Sequence, residues 1–248
     1  MIARGSVAVS ALALALAACG GGGEPPLRPL ICGATQLGAL APHAQCGPAL
    51  ELTPINQYQG SLAWVQDRED AVVLIDGDCT GTLIAAQPRP VVLTAGHCVA
   101  VGDQALVAFN VEDSADGDPT VTGGTVFEQS TAPDYALLQL DRIPRVTPIQ
   151  LSSRISDDLA VIQHPRGGPK AIALGTLAGA CNEQLYYTDL DTLVGSSGAG
   201  VLNDGGYVAG VHTDGDCGKD GSGFNRGWSA ASIVAASAYL QDTDIADR

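Results

Sequence analysis

Three short stretches carry side chains that together can do covalent chemistry. Leu93-Thr94-Ala95-Gly96-His97-Cys98 sets an imidazole at the end of an apolar run. Asp134-Tyr135-Ala136-Leu137-Leu138 sets a carboxylate just ahead of another. Gly195-Ser196-Ser197-Gly198 sets a hydroxyl between glycines. A serine hydroxyl is a weak nucleophile and needs a base beside it. An imidazole serves as that base when a carboxylate fixes its tautomer and stabilises the imidazolium. Taken singly, each stretch is commonplace: a packed histidine, a turn aspartate, a flexible loop. Their joint occurrence in this order is what makes them specific.

On these residues the chain resembles the trypsin/chymotrypsin-like serine peptidases, in the bacterial branch with a G-S-S-G nucleophile loop. The resemblance covers roughly residues 55–242 and implies an all-β fold. Two packed six-stranded antiparallel β-barrels of the chymotrypsin-like type would be followed by a C-terminal α-helix. It implies a serine endopeptidase with catalytic His97, Asp134 and Ser197, an oxyanion hole at Gly195 and Ser197, a protein or peptide substrate and no cofactor. Asp191 falls where trypsin-like relatives hold Lys or Arg, with Gly215 and Gly227 as open pocket walls. Thr192 and His212 fall where glutamate-specific relatives hold an acidic side chain; a buried structural role for His212 is the other reading. The basic preference is the expectation taken forward. A catalytically silent lipoprotein that binds a partner through the same cleft is the rival from another class.

The resemblance also implies disulfides: Cys79 with Cys98 beside the histidine, Cys181 with Cys217 bracing the second barrel, and Cys32 with Cys46 remaining. Ser196 stands where many zymogens carry an aspartate, so no freshly cut amino terminus is expected to switch the site on. Ala199-Gly200 replace the family's Ser-Pro, and Gly200 is expected to loosen the backbone there.

The elements that would position these residues read as short runs separated by Gly, Asp and Pro. They are 71–75, 82–86, 90–94, 105–110, 120–127, 136–140, 158–163, 170–177, 185–188, 199–202, 207–211 and 227–229. Such spacing suits a sandwich or barrel. The barrels would occupy about 55–145 and 146–228. Ser229 to Gln241 reads as a helix, with Ile233, Ala236, Tyr239 and Leu240 on one face. Residues 243–248 read as an acidic, solvated tail.

Composition bounds the rest. The chain has 248 residues, 46% hydrophobic and 16% charged, with a net charge of -15. That hydrophobic content supports a packed core rather than a disordered chain. The charge excludes nucleic acid as a partner, since phosphates demand Lys and Arg. No heptads or fixed-period repeats occur.

The first 18 residues read as a signal peptide: Arg4, then an apolar run from Val7 to Ala18 too short to span a bilayer. Leu16-Ala17-Ala18-Cys19 resembles the lipobox of bacterial lipoproteins, which implies acylation of Cys19 with palmitate-type chains and a membrane partner through that anchor. An ordinary secretory signal, with Cys19 in a disulfide, is the alternative. The seven cysteines are an odd number, and lipidation of Cys19 leaves an even set that can pair completely. Gly20 to Gly23, Glu24, Pro25 and Pro26 form a tether, and the lead segment carrying Cys32 and Cys46 runs on to residue 54. The expected location is the bacterial cell envelope, at the outer membrane if the cell is Gram-negative, with a monomer favoured. His164 reads as part of a structural turn. Asp113 to Asp118 reads as a solvated acidic turn, too short for a calcium loop, and no Cys/His spacing suggests zinc or another metal.

Overall fold

The computed structural model describes residues 43–113 and 118–247. The signal segment, Cys19, the tether and Cys32 lie outside the described residues, as does the middle of the acidic turn. The chain enters with β1 (His43–Ala44) and β2 (Thr53–Pro54), then a short helix α1 (Val65–Arg68). The first barrel is built from β3 (Val72–Ile75), β4 (Cys79–Ile84), β5 (Val91–Thr94), β6 (Gln104–Phe109), β7 (Thr120–Thr131) and β8 (Asp134–Leu140). It closes in the order β3-β4-β5-β8-β7-β6.

The second barrel uses β9 (Asp158–Gln163), β10 (Ala171–Cys181), β11 (Gln184–Thr188), β13 (Gly200–Leu202), β14 (Val208–Asp214) and β15 (Asn225–Ser229), with β12 (Thr192–Leu193) interposed in the chain. Its order is β11-β15-β14-β13-β9-β10, and a β10–β11 pairing closes the ring. All ladder pairings are antiparallel. The fold is therefore two closed six-stranded antiparallel barrels, as expected. Closure removes the sheet edges that would otherwise template association.

The unbroken apolar run of β9 has a physical reason. Leu159 and Val161 fill the second barrel, while Ala160 and Ile162 face the opposite way into a cluster shared with the first barrel. Buried on both faces, the strand has no polar side to show. The same shared cluster takes Ile233 from α2 (Ala230–Ala236).

The structure departs from the sequence reading twice at the C-terminal end. The terminal helix is only Ala230–Ala236. Ser229 caps it by accepting from the Ser232 amide, and Ser237 turns extended at φ -81, ψ 127. The Ser237 hydroxyl then accepts from the Leu240 amide at 3.1 Å, and the Tyr239 amide donates to Glu128 at 3.1 Å. These bonds offer the backbone an alternative to continuing the helix. Nor is the tail free in solvent: Ala246 is buried and exchanges backbone hydrogen bonds with Leu151 and Ser153.

The disulfides correct two expected pairs. Cys79–Cys98 forms as expected, but Cys217 bonds Cys46 rather than Cys181, which also removes the Cys32–Cys46 pair. Cys181 is disulfide-bonded to a partner outside the described residues. The cause is the path of the lead segment. β1 pairs with β12 (His43 opposite Leu193, Ala44 opposite Thr192), which carries Cys46 over the second barrel to Cys217. Such a covalent framework belongs to an oxidising compartment outside the cytoplasm. No helix among the described residues is long and apolar enough to cross a membrane.

Candidate active site

His97 sits in a single 3₁₀ turn, Gly96–Cys98, directly after β5. Gly96 permits a close approach: a Cβ there would collide with the Ser130 carbonyl and meet Asp134 Oδ1 at 2.7 Å. Asp134 opens β8 at the tight β7–β8 hairpin, opposite Thr131. Its carboxylate takes both ends of the histidine. Oδ1 accepts from the His97 amide at 3.0 Å, and Oδ2 lies 2.7 Å from Nδ1. This puts the ring proton on Nδ1 and leaves Nε2 as an acceptor. The hydrogen bond that the ring donates to Asp134 raises the histidine's pKa above its ordinary 6.5; burial opposes the shift, and the charges of Asp134 and Asp214 add to it.

Ser197 lies on the other side of the cleft, half-buried, at a turn between β12 and β13. The backbone holds it against the histidine segment: its carbonyl accepts from the Thr80 amide at 2.9 Å and lies 3.8 Å from Cys98 Sγ. No hydrogen bond among the described residues joins Ser197 Oγ to the imidazole. Such bonds are commonly long without substrate and tighten in the complex.

The amides tell a complementary story. The carbonyls of Val194, Gly195, Ser196 and Ser197 all have donors: the Arg166 amide, the Thr80 hydroxyl, the Ala199 amide and the Thr80 amide. The amides of Gly195 and Ser197 have no acceptor among the described residues. Gly195 has φ 95, and a Cβ there would press on the His164 carbonyl and the Arg166 and Gly167 amides. Two amides without an acceptor on one fixed loop are what an oxyanion requires. Ser196 is fully buried and its hydroxyl accepts from the Leu193 amide at 2.9 Å, so the loop closes on itself without an aspartate. Gly200 is not loose as expected. Its N–H, which proline would lack, donates to Thr82 Oγ1 at 3.1 Å.

A family with the description "Trypsin-like peptidase domain" matches residues 79–211, which span the histidine, the aspartate and the serine loop. The chain belongs to the trypsin-like peptidase domain family. Among solved structures this trypsin-like domain is similar to the serine endoprotease from Yersinia pestis, with TM-score 0.58 and 17% identity over 75% of this chain and 69% of that one. It is also similar to the MamO protease domain from Magnetospirillum magneticum in its apo form, with TM-score 0.54 and 15% identity over 69% of this chain and 97% of that one. At such identities the likeness is one of fold. No curated protein matches the chain.

The other candidate residues of this trypsin-like domain separate. Asp191 is 1% exposed and both its oxygens are used: Oδ1 accepts from the Cys46 amide at 2.6 Å and Oδ2 from the Glu51 amide at 2.5 Å. The carboxylate expected to face a basic substrate is instead clamped on the lead segment. Sequence reading missed this because the partners are backbone amides 145 and 140 residues away. Thr192 is buried with its hydroxyl unpartnered. His212 is buried, with Nδ1 2.5 Å from the Tyr187 hydroxyl. Burial, outweighing the pull of Asp214, lowers its pKa to about 4. Gly215 follows β14 directly. His164 is also buried, Nδ1 3.0 Å from the Gly168 carbonyl, its pKa lowered by burial to about 4. No cluster of His, Cys, Asp or Glu among the described residues suits a metal ion.

Proposed function

We propose that the protein is a serine endopeptidase acting through an acyl-enzyme on Ser197. The observation that carries this is the two-point grip of Asp134 on His97, which fixes the tautomer and leaves Nε2 to take the Ser197 proton. Attack by Oγ on the scissile carbonyl forms the C–O bond and a tetrahedral oxyanion, received by the Gly195 and Ser197 amides. His97 then returns the proton to the leaving amine and the C–N bond breaks. Water, deprotonated by the same imidazole, attacks the ester and releases the acid with Ser197 restored. A fluorophosphonate probe tests the reading. It should label the folded protein but not the Ser197→Ala variant; an unlabelled wild type would favour the silent binding module.

For specificity, the clamped Asp191 carboxylate argues against selection of Lys or Arg through that residue. The preference that then remains is Glu, which rests on the likeness of Thr192 and His212 to the positions that glutamate-specific relatives use. A peptide-library digest decides between them: cleavage after Lys or Arg would overturn this preference. We further propose that Cys19 carries the lipid anchor. Mass spectrometry of the mature amino terminus should find an acylated Cys19; an unmodified thiol there removes the anchor.

A further inference from the structure

One buried hydroxyl occupies an unusual position between the two barrels. Thr80 is on β4, next to Cys79 and fully buried. Its Oγ1 accepts from the His164 amide at 2.9 Å and donates to the Gly195 carbonyl at 2.7 Å. Its own amide donates to the Ser197 carbonyl at 2.9 Å, and its carbonyl accepts from Thr94 Oγ1 at 2.7 Å. The two carbonyls that Thr80 holds belong to the residues whose amides have no acceptor among the described residues.

We infer that Thr80 is a positioning residue that sets the oxyanion amides from the opposite barrel; this rests on the peptidase reading above. An isolated hydroxyl can rotate and reverse its role. Here the His164 amide, a donor only, compels the oxygen to accept, so the hydroxyl proton is directed at Gly195. β-Branching stiffens χ1 and holds that aim. With the Gly195 carbonyl pinned inward, the peptide between Gly195 and Ser196 cannot turn over. The Ser196 amide therefore stays on the Leu193 carbonyl, 3.0 Å away. The neighbouring amides of Gly195 and Ser197 are then left without an acceptor among the described residues. The same residue also fixes the nucleophile's carbonyl, and Thr94 ties it to the strand leading to His97. Alignment between nucleophile loop and base thus passes through one residue, with the Gly195 link made by its side chain and the Ser197 and Thr94 links by its backbone.

The test uses Thr80→Val, which keeps the shape and removes the hydroxyl, in the full-length protein. Loss of one oxyanion donor costs about a hundredfold or more in kcat, and misaligning donors should cost roughly tenfold to a hundredfold. KM should change less than about twofold, because ground-state binding needs no oxyanion contact. Affinity for a peptide boronate, which mimics the tetrahedral state, should fall in parallel with kcat. Thr80→Ser should restore both. If Thr80→Val keeps wild-type kcat, or if Thr80→Ser fails to rescue it, the proposal is overturned. If the valine variant does not fold, Thr80→Ala carries the same prediction; failure of both to fold makes the hydroxyl a purely structural group and ends the proposal. An unlabelled wild type, or labelled Ser197→Ala, marks failure of the peptidase reading instead, and this inference falls with it.

Discussion

At the level of single side chains, the His97–Asp134 pair sets competing demands on one proton. The imidazole must be neutral to accept from Ser197, yet Asp134 favours the charged form. The acid limb of kcat/KM should therefore have its midpoint above the ordinary histidine value of 6.5. For stability the sign is opposite. A raised folded pKa means that the contribution is fully present below 6.5 and fades as pH rises through the raised value. The protein should thus gain activity across the range where this pair's help to the fold is lost. Asp134→Asn should lower kcat by about 10⁴-fold, through the wrong tautomer, by analogy with such triads. Steady-state kinetics across pH check both statements; a limb centred at or below 6.5 in the wild type would contradict the assigned role of Asp134.

Among the elements, the lead segment bears most on the cleft. β1 lies on β12, β2 lies on β10, Cys46 is bonded to Cys217, and Asp191 clamps two amides of the intervening chain. The stretch Asp191–Leu193, just ahead of Val194, is thereby braced from outside. Asp191→Asn replaces one acceptor oxygen by a donor facing an N–H, so it should cost about 2–4 kcal/mol, measured by urea unfolding. The residue preference in a peptide-library digest should not change. Removing the Cys46–Cys217 crosslink by a double serine substitution should cost about 2–5 kcal/mol by the same assay. Much of this architecture was legible beforehand. The histidine, aspartate and serine stretches announced two barrels, and short runs such as 90–94 and 158–163 fell on real strands, Val91–Thr94 and Asp158–Gln163. The lead segment was not legible, because two-residue strands carry no periodicity and Asp191 looks the same whether it faces a substrate or a backbone. The shortened final helix was hidden for a similar reason. Its apolar spacing continues to Leu240, and only the Ser237 and Glu128 bonds, the latter from a distant strand, divert the chain.

For the molecule as a whole, the two barrels meet at a buried charge cluster. Lys170, at 0% exposure, donates to Glu69 Oε2 at 2.5 Å, to the Glu69 carbonyl at 2.8 Å and to Glu112 Oε1 at 2.8 Å. The lysine precedes β10, while Glu69 and Glu112 flank strands of the first barrel, so the ion pairs join the domains on which the cleft depends. Two carboxylates share one cation, and the pair retains a proton longer than either would alone. Burial pushes Glu69 from its ordinary 4.5 up to about 7, with Lys170 opposing and Glu112 reinforcing the shift. Between those values the folded state binds more protons than the unfolded chain, so this cluster loses stability as pH rises. His164 and His212 act the other way. Their pKa values are lowered to about 4, so they lose stability as pH falls below 6.5. Total stability across this range mixes both signs, and the cluster must be read as a difference. Glu69→Gln keeps a hydrogen-bonding oxygen and removes the excess charge. Relative to the wild type, this variant should gain on the order of 2 kcal/mol as pH is raised from about 5 to about 8. Urea unfolding at four pH values checks it. A wild-type-minus-variant difference that does not change with pH would show that the inter-barrel carboxylates do not share a proton.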